Sequence, residues 1–187
     1  MSAVNRYPWY DVVWDDSLEQ GDILREFPVF DPHALYREGS DDYDVDVLAL
    51  DVLVLSQSCD IEQGKVRSLA LCPVYCLEDF AADAVARGEA HWNSSRYKES
   101  LRQGNIPGYH LISDFENEEI SLPVSVVDFH EIYSAPTAQA LDFIQGDSPR
   151  LRLCPPYKEH LAQAFARFFM RVGLPVGISR EKLRADG

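Results

Sequence analysis

The sequence predicts an α+β fold: a small, strongly bent antiparallel β-sheet or barrel with a helical insertion and a C-terminal amphipathic helix. Two observations lead to this prediction. Short aliphatic runs bounded by turn residues recur along the chain, as expected of strands. An apolar stripe at helical spacing follows Pro155-Pro156, as expected of an amphipathic helix. The 187 residues suffice for one domain, so residues 1–187 are predicted to form a single domain.

The centre of the sheet is predicted from the most hydrophobic run, residues 47–55 (VLALDVLVL). A short, β-branched run bounded by polar residues is typical of a strand buried on both faces. Residues 66–74 are predicted to return beside it as the second strand of a hairpin. A hairpin centred near residue 63 pairs Leu55 with Leu71. It also places Cys59 about 16 Å from Cys72 along the strands, too far for a disulfide.

Helices are predicted at three places along the chain, one of them a short helix over residues 136–144. Residues 78–87 and 94–102 have helical composition, and residues 77–106 are predicted to form the helical insertion. Residues 150–154 alternate as a last strand, and residues 155–173 are predicted to form the C-terminal helix. Its apolar stripe is predicted to face the core and consists of Leu161, Phe165, Phe168, Phe169 and Val172.

Charge is distributed unevenly along the chain. The net charge of -14 excludes a generally basic nucleic-acid binder and disfavours anionic lipid. Residues 150–187 nevertheless carry a net +5. This basic segment is expected either to pair with the acidic surface of the protein itself or to form a local cationic groove. The candidate anion-binding residues of such a groove are Arg150, Arg152, His160, Arg167 and Arg171.

No run of 18 apolar residues and no signal-peptide pattern occurs in the sequence, so a cytoplasmic protein without membrane contact is expected. Its four cysteines should then be reduced. Cys72 and Cys76 have a spacing compatible with zinc, but a second ligand pair is missing. No metal site and no cofactor are therefore predicted.

Small polar residues follow the predicted central strand and include three candidate catalytic residues, Ser56, Cys59 and Asp60. Cys59 could act as a nucleophile if a base or a positive charge promotes its thiolate form. The alternative is a structural turn in which Ser and Asp side chains bond to the backbone. Farther along the chain, Asp128 and His130 are predicted to share one strand face, either as a proton-transfer pair or as structural residues.

Three short segments resemble the MazF/PemK-like toxins: Gly21-Asp22-Ile23, Val54-Leu55-Ser56 and Leu71-Cys72-Pro73-Val74. The resemblance implies an SH3-like β-barrel with a C-terminal helix packed on it. The catalytic Arg and Ser or Thr of that family are not matched, because acidic residues precede the second strand and Val74-Tyr75-Cys76 follows the third. The chain also resembles bacterial proteins that share a Ser-Gln-Ser/Thr-Cys-Asp segment. This resemblance implies no known activity.

Two functions are expected from these observations. The first is a non-catalytic acidic interaction or regulatory protein of bacterial type, which binds a protein partner. The second is a divergent MazF-like RNA-acting or cysteine-dependent hydrolase centred on Cys59, with nucleic acid bound only at the basic C-terminal region. The sequence does not decide whether the protein is an enzyme, nor does it fix an oligomeric state.

Overall fold

A computed structural model describes residues 7–31, 46–146 and 148–170 of the chain. The elements in chain order are β1 (Tyr10–Val13), β2 (Asp22–Phe30), β3 (Val47–Val54), α1 (Ser58–Glu62), β4 (Ser68–Cys76), α2 (Leu77–Ala86), a 3-10 turn (Ala90–Asn93), α3 (Ser95–Arg102), β5 (Tyr109–Ile112), β6 (Phe115–Glu116), β7 (Ser121–Leu122), β8 (Ser125–Asp128), β9 (Tyr133–Pro136), α4 (Thr137–Ile144), β10 (Arg150–Leu153) and α5 (Tyr157–Phe169).

Eight strands form one antiparallel sheet in the order β1-β10-β2-β3-β4-β8-β5, and β9 pairs with β4 beside this path. The α+β class with a mainly antiparallel sheet is therefore confirmed. The end strands β1 and β5 form no ladder with each other among the described residues. They meet through a side chain instead, because the Tyr10 hydroxyl donates a hydrogen bond of 2.6 Å to the Ser113 carbonyl. The described strands thus bend towards each other without closing into a hydrogen-bonded barrel.

The central hairpin differs from its predicted register by one residue. Val54 pairs with Leu71, and the Leu55 amide donates to the Ala70 carbonyl at 2.9 Å. The predicted pairing of Leu55 with Leu71 is therefore wrong. The reason is that the connection contains the short helix α1, which a symmetric turn about residue 63 does not accommodate. The four cysteines are free thiols in the structure.

The sheet separates two apolar clusters because alternate residues of a strand point to opposite faces. Leu53 and Leu55 belong to the cluster that α5 covers through Leu161. Val52 and Val54 belong to the cluster that α4 covers through its buried Ala140 and Ile144. The two helices therefore lie on opposite faces of the sheet.

A third apolar cluster lies between β4 and β5 in the chain, where helices are predicted. Trp92, from the 3-10 turn, is fully buried between α2 and α3, where it contacts Phe80 and Tyr109 edge-on. This packing fixes the position of α3 and of the residues that lead into β5. Whether residues 77–106 are an insertion into a simpler fold stays a prediction.

The stripe of α5 is only partly core. Leu161 is fully buried, and Phe165 and Phe168 are half-buried, with their rings 5.3 and 6.2 Å from that of Phe129. Phe169 is 57% exposed, so its predicted core position is wrong; it is the last helical residue, and unlike Phe165 and Phe168 it does not pack against the cluster below α5. Val172 lies outside the described residues. Among the described helices, none has the length and apolarity needed to span a membrane.

Candidate anion-binding site

The two arginines of β10 are held by the protein's own carboxylates. Strand β10 lies between β1 and β2, and Arg152 is the cross-strand partner of Asp22. Asp22 is fully buried and accepts hydrogen bonds from Arg150 Nε at 3.0 Å and Arg152 Nη2 at 2.9 Å. A buried carboxylate requires such partners, because an unpaired buried charge is strongly destabilising.

Further contacts with acidic side chains extend this ion-pair network. Arg150 Nη2 lies 2.9 Å from Asp15, and Arg152 Nη1 lies 2.8 Å from Glu19. Lys158 Nζ reaches the other oxygen of Glu19 at 3.2 Å. The arginines of β10 thus neutralise acids from the first part of the chain, and neither lines the cavity formed by α5. Arg171, the fifth candidate, lies outside the described residues.

A cavity of about 510 Å³ opens between α5 and the segment from α3 to β5, and we call it the cationic cavity. His160 and Arg167 lie on the same face of α5, seven residues apart, and both line it. His110 lines it from β5 and Arg102 from α3. Although the chain carries 31 Asp and Glu, no carboxylate is found among the described residues that line this cavity.

His110 is the functional candidate that the sequence pattern does not single out. Burial, together with the positive charges of His160 and Arg167, lowers the pKa of His110 to about 4. Its imidazole is therefore neutral near pH 7 and can both donate and accept a hydrogen bond. The alternation of side chains along β5 could have identified His110 from the sequence. His110 shares its strand face with Ile112, which packs in the cluster below α5.

Hydrogen-bonding capacity in the cavity is only partly used by the protein. In the described part of the chain, the imidazoles of His110 and His160 form no side-chain hydrogen bond, and Arg167 forms no ion pair. Arg102 differs, because its guanidinium binds Glu99 through two contacts of 2.7 and 2.8 Å. The hydrogen bonds from Arg102 lower the pKa of Glu99 to about 2. The groups available to an anion are therefore His110, His160 and Arg167.

Aromatic rings form the remaining walls of the cationic cavity. Trp9 and Tyr157 are stacked with ring centroids 3.7 Å apart and planes inclined by 11°. The Cys154 amide donates to the Trp9 carbonyl at 2.9 Å, which ties the segment before β1 to the start of α5. Phe129 and Phe168 line the cavity as well. The site thus combines π surfaces with cationic and neutral nitrogen donors.

The segment around Cys59 forms the short helix α1, and the polar side chains of this region contact other parts of the protein. Ser56 Oγ accepts a hydrogen bond of 2.9 Å from the Ala70 amide, and Asp60 lies 3.9 Å from Lys65. Cys59 is exposed on α1. Within the described residues its sulfur contacts two acceptors, Gln57 and Asp60, each at 3.8 Å, and neither can promote thiolate formation.

Asp128 and His130 form a close pair beside the cationic cavity. Asp128 is buried, and its Oδ1 accepts hydrogen bonds from the His130 amide at 2.9 Å and from its Nδ1 at 2.7 Å. Burial raises the pKa of Asp128, while these hydrogen bonds act in the opposite direction. The His130 ring packs against Phe168 with a centroid separation of 5.1 Å. This pair therefore positions a ring that supports the cavity wall.

Cys72 and Cys76, the candidate zinc ligands, belong to β4. Burial raises the pKa of the Cys72 thiol to about 12, so this thiol stays protonated at neutral pH. A cysteine side chain ligates a metal ion as its thiolate. In the described ranges, no group of three or more His, Cys, Asp or Glu side chains could hold a metal ion.

Comparison of the chain with models of known protein families, with curated proteins and with solved structures gives no match.

Proposed function

We propose that this protein binds a phosphate-bearing small ligand in the cationic cavity. The observation that supports this proposal is that His110, His160 and Arg167 line one cavity and that no described carboxylate lines it. This is unexpected in a chain of net charge -14. Guanidinium and imidazole N–H groups suit phosphate oxygens, because charge-assisted hydrogen bonds are short and strong. The volume of about 510 Å³ falls within the range of small-molecule sites.

The proposal also accounts for the electrostatics of the cavity. Burial, with the positive charges of His160 and Arg167, keeps His110 in its neutral form by lowering its pKa. An anion among the three groups would offset the repulsion between them and would raise the pKa of His110 towards neutrality. Ligand binding should therefore take up a proton, and affinity for a phosphate should increase as the pH falls from about 7 towards 5.

Titration calorimetry with inorganic pyrophosphate tests the proposal. Arg167→Gln removes a charged donor and should weaken binding about tenfold to a hundredfold, since a hydrogen bond to a charged group contributes about 1.5–3 kcal/mol. Arg96→Gln is the matched control, because Arg96 is exposed on α3 and does not line the cavity. Equal affinity of the two variants, or no saturable binding up to about 10 mM ligand, would contradict the proposal.

A ligand-binding role agrees with the non-catalytic function expected from the sequence, although it places the site on a cationic and not an acidic surface. An acidic cavity of about 820 Å³ also exists and is lined by Glu26, Asp51, Asp79 and Asp83 among others. Part of its charge is internally paired, since Arg25 Nε lies 2.7 Å from Asp51. Binding of a basic protein partner by the acidic surface of the protein stays a prediction.

The cysteine-dependent or MazF-like RNA-acting hydrolase likewise stays a prediction, as does an SH3-like barrel. The bent sheet with α5 packed on one face is compatible with that barrel. The contacts of Cys59 with Gln57 and Asp60 give no support to a thiolate nucleophile.

A further inference from the structure

We infer that the ligand of the cationic cavity is a nucleotide whose base stacks on the Trp9–Tyr157 pair while its phosphate binds His160 and Arg167. This inference rests on the phosphate-binding function proposed above and adds the ligand class.

The order of side chains along α5 favours a ligand that carries both an aromatic ring and an anionic group. Tyr157, His160 and Arg167 all line the cationic cavity and follow one another along the helix. With a rise of about 1.5 Å per residue, His160 lies about 4.5 Å and Arg167 about 15 Å along the axis from Tyr157. One helix thus presents an aromatic ring at one end of the cavity, an imidazole close to it and a guanidinium towards the other end. A ligand that meets both ends needs a flat ring joined to an anionic group by a spacer, which is the construction of a nucleotide.

The Trp9–Tyr157 pair presents a fixed and partly exposed aromatic surface. Trp9 and Tyr157 are each only half-buried, although they stack on each other and contact the apolar cluster below α5. Their stacking fixes both rings in one orientation, so a third ring could join without reordering them. Stacking on fixed aromatic side chains is the common way in which proteins hold nucleic-acid bases.

A nucleotide would contact both the aromatic and the nitrogen-donor parts of the cavity lining. A sugar phosphate or inorganic phosphate would use the cations and leave the aromatic wall without a partner, whereas an uncharged aromatic ligand would leave His160 and Arg167 without one. Because no carboxylate lines the cavity in the described ranges, the Arg167 guanidinium has no anionic partner there and is available to a ligand. The combination of both surfaces favours a ligand that carries both groups.

The test compares three probes by titration calorimetry: adenosine 5′-monophosphate, ribose 5-phosphate and adenosine. Stacking of one base on an aromatic side chain corresponds to about fivefold to a hundredfold in affinity. The monophosphate should therefore bind at least fivefold tighter than ribose 5-phosphate, and adenosine should bind more weakly than the monophosphate.

Variants then locate the effect. Trp9→Leu should abolish the preference for the monophosphate over ribose 5-phosphate and leave the affinity for ribose 5-phosphate unchanged. Trp14→Leu is the matched control, because Trp14 is 51% exposed and does not line the cavity. Tyr157→Leu should act like Trp9→Leu, and Tyr157→Phe should retain the preference; this second pair of variants decides the question if Trp9→Leu does not fold.

The outcomes separate the two proposals. A preference for the monophosphate that Trp9→Leu removes and Trp14→Leu does not would support the nucleotide. Equal saturable binding of the monophosphate and ribose 5-phosphate would overturn the nucleotide and leave phosphate binding standing. Absence of binding by every phosphate would overturn both.

Discussion

Gly108 leads into β5 at a point where the structure leaves no room for a side chain. Its φ is +97°, a backbone conformation that L-residues rarely adopt. A Cβ atom at Gly108 would lie 2.2 Å from Cε1 and 2.6 Å from Nε2 of His130. His130 cannot move freely, because its amide and Nδ1 both donate to the buried Asp128. We therefore predict that Gly108→Ala is strongly destabilising.

The magnitude follows from two separable costs. The positive φ costs an alanine about 1–2 kcal/mol. Displacement of the His130 ring breaks its hydrogen bond to Asp128 and leaves a buried carboxylate with fewer donors, which costs about 1–3 kcal/mol more. The sum is about 2–5 kcal/mol. Gly88→Ala isolates the first cost, because Gly88 has a φ of +99° and a Cβ atom there would meet no other atom within 4 Å.

Equilibrium unfolding in urea measures both variants against the unaltered protein. Gly88→Ala should lose about 1–2 kcal/mol, and Gly108→Ala should lose at least about 1 kcal/mol more. The double variant Gly108→Ala with His130→Ala should be less destabilised than the sum of the two single variants, since the ring that collides is absent. Equal losses for Gly108→Ala and Gly88→Ala, or strict additivity in the double variant, would refute the reasoning.

Three further predictions use the same unfolding measurement. Arg150→Met leaves the buried Asp22 with one guanidinium and should cost about 3–5 kcal/mol; a loss below about 1 kcal/mol would show that the network is dispensable. Phe165→Ala should cost about 2–4 kcal/mol and Phe169→Ala less than about 1 kcal/mol, and the reverse order would contradict the placement of α5. His110 titrates near pH 6.5 when unfolded and near 4 when folded, so the unfolded chain binds more protons between these values. Acidification through this window should remove up to about 3 kcal/mol of stability, and His110→Gln should lack this component.

The elements that the sequence predicts well are those that depend on local pattern. The apolar spacing of Leu161 and Phe165 locates α5, and the aliphatic run of residues 47–55 locates β3. The predicted hairpin register is wrong by one residue because a short polar segment forms α1 instead of a simple turn. Periodicity also cannot exclude Phe169 from the core, since it reports the face of a helix but not where the supporting sheet ends.

The candidate site is predictable only in part, for a related reason. The alternation of residues 150–153 correctly indicates a strand, yet the partners of Arg150 and Arg152 depend on the insertion of β10 between β1 and β2. Asp22 lies 128 residues before Arg150, and no local pattern connects them. Only the folded chain therefore distinguishes these paired arginines from Arg167, which has the same residue type and a different electrostatic role.

This distinction changes what the net charge implies about ligands. Asp15, Asp22 and Glu19 neutralise the cations of β10, so the surface around β10 offers no positive strip to a polyanion. A long nucleic acid would have to pass the acidic remainder of the surface, and its binding depends on many phosphate contacts at once. A single phosphate needs only the few groups of the cationic cavity. Carboxylates farther than about 8 Å from a bound phosphate are largely screened at physiological ionic strength, whereas the exposed side chains of His160 and Arg167 act at contact distance. The net charge that disfavours a polynucleotide on the surface is therefore compatible with one nucleotide in the cavity.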